Sequence, residues 1–554
     1  MQDLELSAAG DRRRWWALGA LALSVLVVGL DLFVLSLALP TLSVDLHAST
    51  SDLQWFVDAY SLVLAAALLP AGLLGDRVGR KRLLIGALVL FGVASLACAY
   101  STSTGELIAA RAVLGLAAAV ILPLSLAVLP VMFTPQERPK AIALVGGATF
   151  IGYPLGPILG GWLLDNYWWG SVFLINVPIV VIALIAVIFL MPESVGSGRQ
   201  RIDYAGVLVS SAGLAAITYG VIRAGQHGWS DSVAIATMVA GAIALAGFVA
   251  WERVVSRRGG QPLVDLGLFT SAGFTWGTTL STMISFALFG LTFAMPQFFL
   301  DVKGLDSLAS GIRLLPLIGG LAVGLGAGQR LQSPRKSRDG GADLPPLVGV
   351  RPIGAGGFAI MAAALAVGTA TSAASGAGFI SAWFAVTGFG LGLALPTMLN
   401  TALGALTPER SGSGSALMTA MRQVGATIGV AVLGTVLGTV YRSKLVVSGL
   451  PAGLASTARS SVGSGVAVAG QAHSPQLLAA VHVAYASGVD TMLWVCAGIA
   501  IAAAVLAALF LPGRSGNELA SQPGSQPAAA LPAPAASARH TGAATGEPDA
   551  AGAE

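Results

Sequence analysis

The 554-residue chain is 55% apolar and only 10% charged, with a mean hydropathy of +0.80. A soluble protein of this size needs far more charge to cover its surface, so the composition implies a polytopic membrane protein. The net charge of +4 does not indicate a nucleic-acid partner, because the cations sit in short loops between apolar segments.

Arg12, Arg13 and Arg14 precede an apolar run, the outline of a signal peptide. That run, Trp15 to Leu39, is long enough to span a bilayer and contains Asp31, so it is read as the first of fourteen spans. The first six cover 15–39, 54–74, 83–99, 107–131, 141–164 and 171–190. Two more cover 204–222 and 233–252. The last six cover 273–298, 311–329, 351–370, 377–398, 415–440 and 490–511. Only helices satisfy their own backbone in lipid, so the fold class is an all-α polytopic membrane bundle. The stretch 442–489 reads as an external loop with a short amphipathic helix over Pro475–Tyr485. The loop 332–350 reads as flexible, and the tail 512–554, rich in Ala, Pro, Ser and Gly, as disordered.

Charge supports this map. With both termini inside, 22 of the 30 Lys and Arg fall on the inner face, six on the outer face, and Arg111 and Arg422 inside spans. This positive-inside bias predicts a cell-membrane protein with both ends in the cytoplasm. Cys98 and Cys496 lie in apolar runs and read as inert core residues. The five histidines have no ligand-like spacing, and no Ser/His/Asp constellation lies within the spans, so neither a metal site nor an enzyme is expected.

The polar knot AGLLGDRVGRKRLL, Ala71 to Leu84, joins spans 2 and 3. Its Gly72, Asp76, Arg77, Gly79, Arg80 and Lys81 resemble the loop motif of the major facilitator superfamily. The resemblance implies a conformational latch in which the aspartate meets a helix N-terminus of the other bundle; a positive-inside anchor is the plainer alternative. Arg111 in LIAARAVLG resembles the superfamily's span-4 motif, linked there to proton transfer, although Leu114 replaces a frequent glutamine. The alternative is an arginine snorkelling from a helix end.

Gly152, Gly156, Pro157, Gly160 and Gly161 in span 5 resemble the antiporter motif, and the following WGSVFLINVP looks like fourteen-helix drug exporters. Small residues at this spacing form a face for close helix packing. The segment from Leu30-Asp31 to Ala38-Leu39-Pro40 is similar to the drug:proton antiporter branch of EmrB/QacA type, as is Gln54–Tyr60 around Asp58. A carboxylate as deep as Asp31 is either protonated or paired. Asp58 is nearer the outer end and is either functional or solvated.

The resemblance, over roughly residues 15–440 and the last span, implies two six-helix bundles plus two inserted helices. The organisation is then an N-terminus 1–14, a first bundle 15–190, a peripheral helix pair 204–252, a second bundle 273–511 and the tail 512–554. It implies a monomeric proton-coupled multidrug exporter that needs no cofactor beyond the proton gradient and takes small amphipathic, cationic drugs or dyes; export of a self-made antibiotic in an actinobacterium is the alternative. Asp31 would carry the proton, assisted by Asp58 and tuned by Arg111. Tyr60, Phe286, Phe289, Gln297, Asn400, Met421, Arg422 and Gln423 are candidate cavity residues, with plain packing as the alternative. The second bundle departs from the family: span 10 holds no acid, and Arg422-Gln423 stands where some relatives have a glutamate.

Overall fold

A computed structural model describes residues 2–134, 137–193, 203–258, 260, 264–332, 348–406, 411–447 and 449–512. Its first helices are α1 (Gln2–Asp45), α2 (Thr50–Val78), α3 (Arg80–Ala99), α4 (Thr104–Ala127), the one-turn α5 (Leu129–Met132) and α6 (Arg138–Asn166). Next, α7 (Ser171–Leu174) leads into α8 (Asn176–Leu190), and α9 (Tyr204–His227) and α10 (Ser232–Arg257) form a hairpin. Then come α11 (Ala272–Gln297), which ends in the π-helical turn Phe298–Val302, and α12 (Ser307–Gln332). The chain continues through α13 (Val350–Gly368), α14 (Ala377–Gly404), α15 (Ser411–Lys444), α16 (Ala452–Ser460), α17 (Val462–Gln471) and α18 (Pro475–Phe510). No strand occurs among the described residues.

Twelve segments, with α7 and α8 taken together, are long and apolar enough to cross a membrane. The 29-residue helices α2 and α6 bring the long helices to the expected fourteen. Their starts carry local signals. Ser49 and Asp52 form a reciprocal capping box at α2, and the Asp203 and Asp231 carboxylates accept backbone N–H groups at α9 and α10.

In the first bundle α1 packs on α6 and α8, α2 on α4, and α3 on α4 and α8. In the second, α14 packs on α12 and α13, α11 on α15, and α18 on α13 and α15. Glycine allows the closest approaches. A Cβ on Gly388 would strike the Leu317 carbonyl, and one on Gly320 the Ala385 carbonyl, so the backbones of α12 and α14 are in contact.

The bundles meet along α2–α15, α6–α12 and α1–α11. The described contacts concentrate at the end of the molecule opposite the arginine-rich loops. There Leu30, Val34, Leu39, Leu53 and Phe56 of the first bundle form one apolar cluster with Phe293 and Val430 of the second.

Two expectations are corrected. The stretch 442–489 is largely helical: α16 and α17 fold over the bundle, and α18 runs unbroken from Pro475, placing Asp490 inside a helix instead of at its start. Side-chain caps at Ser461 and Ser474 start α17 and α18; the alanines that follow Pro475 favour helix, whereas the glycines and valines of α17 do not, and that helix is held by burial of Val462, Val468 and Ala469. Secondly, α9 is not peripheral; it lies against α2 and α15, and only α10 is largely exposed. The loop 332–350 and the tail 512–554 fall almost wholly outside the described residues.

Gly388→Val should force α12 and α14 apart, at about 1–3 kcal/mol for overpacking. The check is a lowered thermal unfolding midpoint in detergent, with Gly378→Ala, where a Cβ meets open space, unchanged.

Candidate functional site

The centre of the first bundle is a buried ion pair. Arg111 Nη1 donates to Asp31 Oδ2 at 2.6 Å, and the two side chains are 1% and 2% exposed. Arg111 Nε donates to the Phe56 carbonyl at 3.0 Å, and the guanidinium lies 4.4 Å over the Tyr60 ring. On the other side Asn176 Nδ2 donates to Asp31 Oδ1 at 3.1 Å and to Ser95 Oγ at 3.0 Å, while Ser95 donates to the Phe173 carbonyl. Five helices, α1 through Asp31, α2, α3, α4 and α8, are tied to one charge pair. A guanidinium with a carboxylate, a carbonyl and a ring face is well compensated; it does not snorkel from a helix end.

Helix α2 has two faces. Phe56 and Tyr60, four residues apart, meet Arg111. Gln54 and Asp58, equally spaced, lie on another face. Gln54 Nε2 donates to the Ala431 carbonyl at 2.9 Å and approaches Thr435 Oγ1, which itself donates to the Val221 carbonyl of α9. Gln54 therefore joins α2, α15 and α9 across the seam between the bundles. One turn deeper, Asp58 is fully buried, and neither carboxyl oxygen has a hydrogen-bond partner among the described residues. Unpaired burial of an acid is expensive, and such groups in membrane helices concentrate at functional positions.

The span-5 glycines serve two neighbours. Gly152 and Gly160 face α1: a Cβ on Gly152 would lie 3.0 Å from the Leu30 nitrogen, and one on Gly160 3.2 Å from Val34 Cγ1. Gly161 faces α12, where a Cβ would lie 2.6 Å from Leu308 Cα, and a Cβ on Gly311 would strike the Pro157 carbonyl. Gly156 is buried on the same helix. Beyond them Asp165 accepts the Ser307 and Leu308 N–H groups, both at 2.9 Å, so a first-bundle carboxylate caps a second-bundle helix.

At the arginine-rich end the 71–84 turn pivots on Gly79, whose φ of +107° suits glycine. A Cβ there would also lie 2.8 Å from Glu193 Oε1, the carboxylate that accepts the Lys81 N–H and lies 3.5 Å from Arg82 Nε. Arg80 Nη1 donates to the Ala127 carbonyl at 2.8 Å, and Arg77 is exposed. The side chain of Asp76 and residue Gly72 lie outside the described burial. Nearby, Arg14 pairs with Glu137 at 2.8 Å; hydrogen bonds from Thr134 and Arg14 hold that carboxyl below its ordinary range.

The candidate cavity residues separate. Tyr60 is fully enclosed as the platform under Arg111, so it is no cavity wall. Gln297 is 2% exposed and donates to the Phe293 carbonyl, and Asn400 is exposed near the arginine-rich end. Phe286, Phe289, Met421, Arg422 and Gln423 are half-buried on α11 and α15, with Arg422 Nε 3.4 Å from Ser285 Oγ. Sequence reasoning missed Asn176, Ser95, Gln54 as a cross-bundle donor, and Asp165. A lone Asn within VFLINVPIVV was the available signal for the first.

Comparison with known proteins now bears on this arrangement. The profile of the Major Facilitator Superfamily matches residues 21–430. The chain is 30% identical over 513 residues to the tetracenomycin C resistance and export protein of Streptomyces glaucescens, across 90% of this chain and 92% of that one. It is 34% identical over 499 residues to the multidrug efflux pump LfrA of Mycolicibacterium smegmatis, across 89% and 95%. A solved bacterial homologue of the human lysosomal transporter Spinster, inward-facing and unoccupied, shares the fold with a TM-score of 0.62 at 14% identity, over 90% of this chain and 96% of that one.

Removing one partner of a buried pair strands the other, at about 3–5 kcal/mol. Arg111→Met should therefore lower the unfolding midpoint in detergent strongly, and Arg111→Met with Asp31→Asn should recover most of the loss. Equal destabilisation by the single and double variants would show that the charge is not what the site stabilises.

Proposed function

As the chain belongs to the major facilitator superfamily, we propose that it is a proton-coupled efflux transporter of the cell membrane, exporting amphipathic cationic drugs or dyes by alternating access. The arginine-rich end is the cytoplasmic side, and both termini lie there. The two six-helix bundles rock about the seam, and the conformation described has its external end closed. That relatives across nine-tenths of the chain are named for multidrug efflux and for antibiotic resistance and export supports the direction of transport.

The observation that carries the coupling is Asp58, a buried carboxyl without a hydrogen-bond partner, one turn below the Gln54 link between the bundles. A neutral carboxyl is the form such a site tolerates, and an ionised one seeks water or a cation. Asp58 thus takes the carrier role first assigned to Asp31. Its proton is exchanged for a cationic substrate when the seam opens on the cytoplasmic side. Asp31, already held by Arg111 and Asn176, positions α2 for that exchange. Substrate contacts come from the half-buried Phe286, Phe289, Met421 and Gln423. One charge crossing 100 mV contributes about 2.3 kcal/mol, before any pH gradient. Asp76 acts as the latch of the opposite state and touches no substrate.

A second reading, export of an antibiotic made by the same cell, is favoured by the similarity to the tetracenomycin protein. Intracellular retention of one secondary metabolite in a deletion strain, with unchanged drug sensitivity, would select it.

In proteoliposomes, an imposed pH gradient should drive ethidium transport by the wild type and not by Asp58→Asn, which should still exchange ethidium for ethidium. Undiminished gradient-driven transport in Asp58→Asn would falsify the carrier role. Asp76→Ala should bind ethidium as the wild type does but turn over more slowly; an unchanged rate would make the 71–84 turn an anchor only.

A further inference from the structure

A second acid with an unpartnered carboxyl oxygen lies in the other bundle. Asp301 sits in the π-helical turn at the external end of α11, where Lys303 N–H bonds the Phe298 carbonyl and Leu305 N–H the Phe299 carbonyl, each at 3.1 Å. π-turns are rare and concentrate at functional positions. One extra residue per turn rotates the following side chains by about 100° relative to an α-helix. Asp301 is partly buried overall, but its Oδ2 is enclosed and has no hydrogen-bond partner among the described residues.

The groups around it are known from every packed element. From α18 come His482, beside the Asp301 backbone, and Tyr485, whose hydroxyl donates to the Ala294 carbonyl at 3.0 Å. From α15 comes Tyr441, 6.1 Å from Tyr485 ring to ring, its hydroxyl bonded to the Ala458 and Ser461 carbonyls. Helix α17 brings no titratable side chain, and the first turns of α12 bring Arg313, with Asp306 just before them. Lys303, on the turn itself, is engaged by the Ala373 and Ser375 carbonyls. Thus neither tyrosine hydroxyl proton is directed at Oδ2, and Lys303 bonds elsewhere.

We propose that Asp301 is a second proton-binding site, reached from the external side, whose proton holds that end of the transporter closed. Closure leaves Oδ2 without a donor, so the closed arrangement favours the neutral acid. Opening the external end admits water and favours the carboxylate. A proton bound more tightly by the closed state shifts the equilibrium toward it. The inference rests on the alternating-access reading above and adds an acid in the second bundle, where spans 10 and 13 supply none.

The test reads conformation instead of transport. Spin labels at Tyr167→Cys and Phe379→Cys, on exposed external positions of the two bundles, report the width of that end; Cys98 and Cys496 are buried. Asp58→Asn serves as the background, so that the interior carboxyl cannot titrate. In it, raising the pH from about 5 to about 8 should lengthen the inter-label distance, spanning the carboxylate-to-imidazole range. Adding Asp301→Asn should remove that lengthening, and adding Asp301→Glu should retain it with a shifted midpoint. Persistence of the pH response in Asp58→Asn/Asp301→Asn, or its absence from Asp58→Asn when the wild type shows it, would overturn the proposal. A wild type that never widens, at any pH or with ethidium, would overturn the alternating-access reading as well.

Discussion

The first bundle depends on one interaction, the Asp31–Arg111 pair. Two opposite charges held in an apolar interior attract strongly but are costly to desolvate, and the balance is favourable only with complete hydrogen bonding. Here the pair recruits the Phe56 carbonyl, Asn176 and the Tyr60 face, and through them most of the bundle. The result is a body that is hard to deform internally, because sliding any one of these helices would leave a charge or a donor unsatisfied. Motion is thereby directed to the boundaries between bundles.

Those boundaries are built from the opposite materials. Along α6 and α12, and along α2 and α15, the contacts are glycine against backbone, aliphatic clusters, and neutral hydrogen bonds such as Gln54 to the Ala431 carbonyl. Such surfaces separate without stranding a buried charge, and dispersion lost on one side is recovered on the other. The described charged group that bonds across this seam is Asp165, which accepts backbone N–H groups on the first turn of α12, at the rim where water can replace it. Helix α9 adds a third strip to the seam through Thr435, Thr439 and Arg442, all bonded to its carbonyls.

How much of this was legible in the sequence follows from range. Hydropathy acts locally, so the long helices among the described residues could be read directly. The glycine spacing of span 5 announced close packing, but not that Gly161 would meet α12 while Gly152 meets α1; partner choice is a tertiary matter. Asp31 and Arg111 were legible as needing partners, yet 80 residues separate them, and Asp58 was a second acid within reach of the same reasoning. Tyr60 looked like a cavity residue because aromatic type does not report depth. The segment after Lys444 misled because its helices are short and, in α17, rich in glycine and valine, so that burial against the bundle and not local propensity makes them helical. Asp301 was overlooked because it closes an apolar span, where an acid passes for a surface residue.

The 36 residues of α18 have a further consequence. At 1.5 Å per residue the helix is about 54 Å long, well beyond a hydrocarbon core of about 30 Å. Its C-terminal end meets α13 near Arg351, which donates to the Leu511 carbonyl, and α17 packs against α18. That extra length gives α17 a surface to bury Val462, Val468 and Ala469 against, so the segment after Lys444 is an extension of the second-bundle core, with α16 as its largely exposed outer layer.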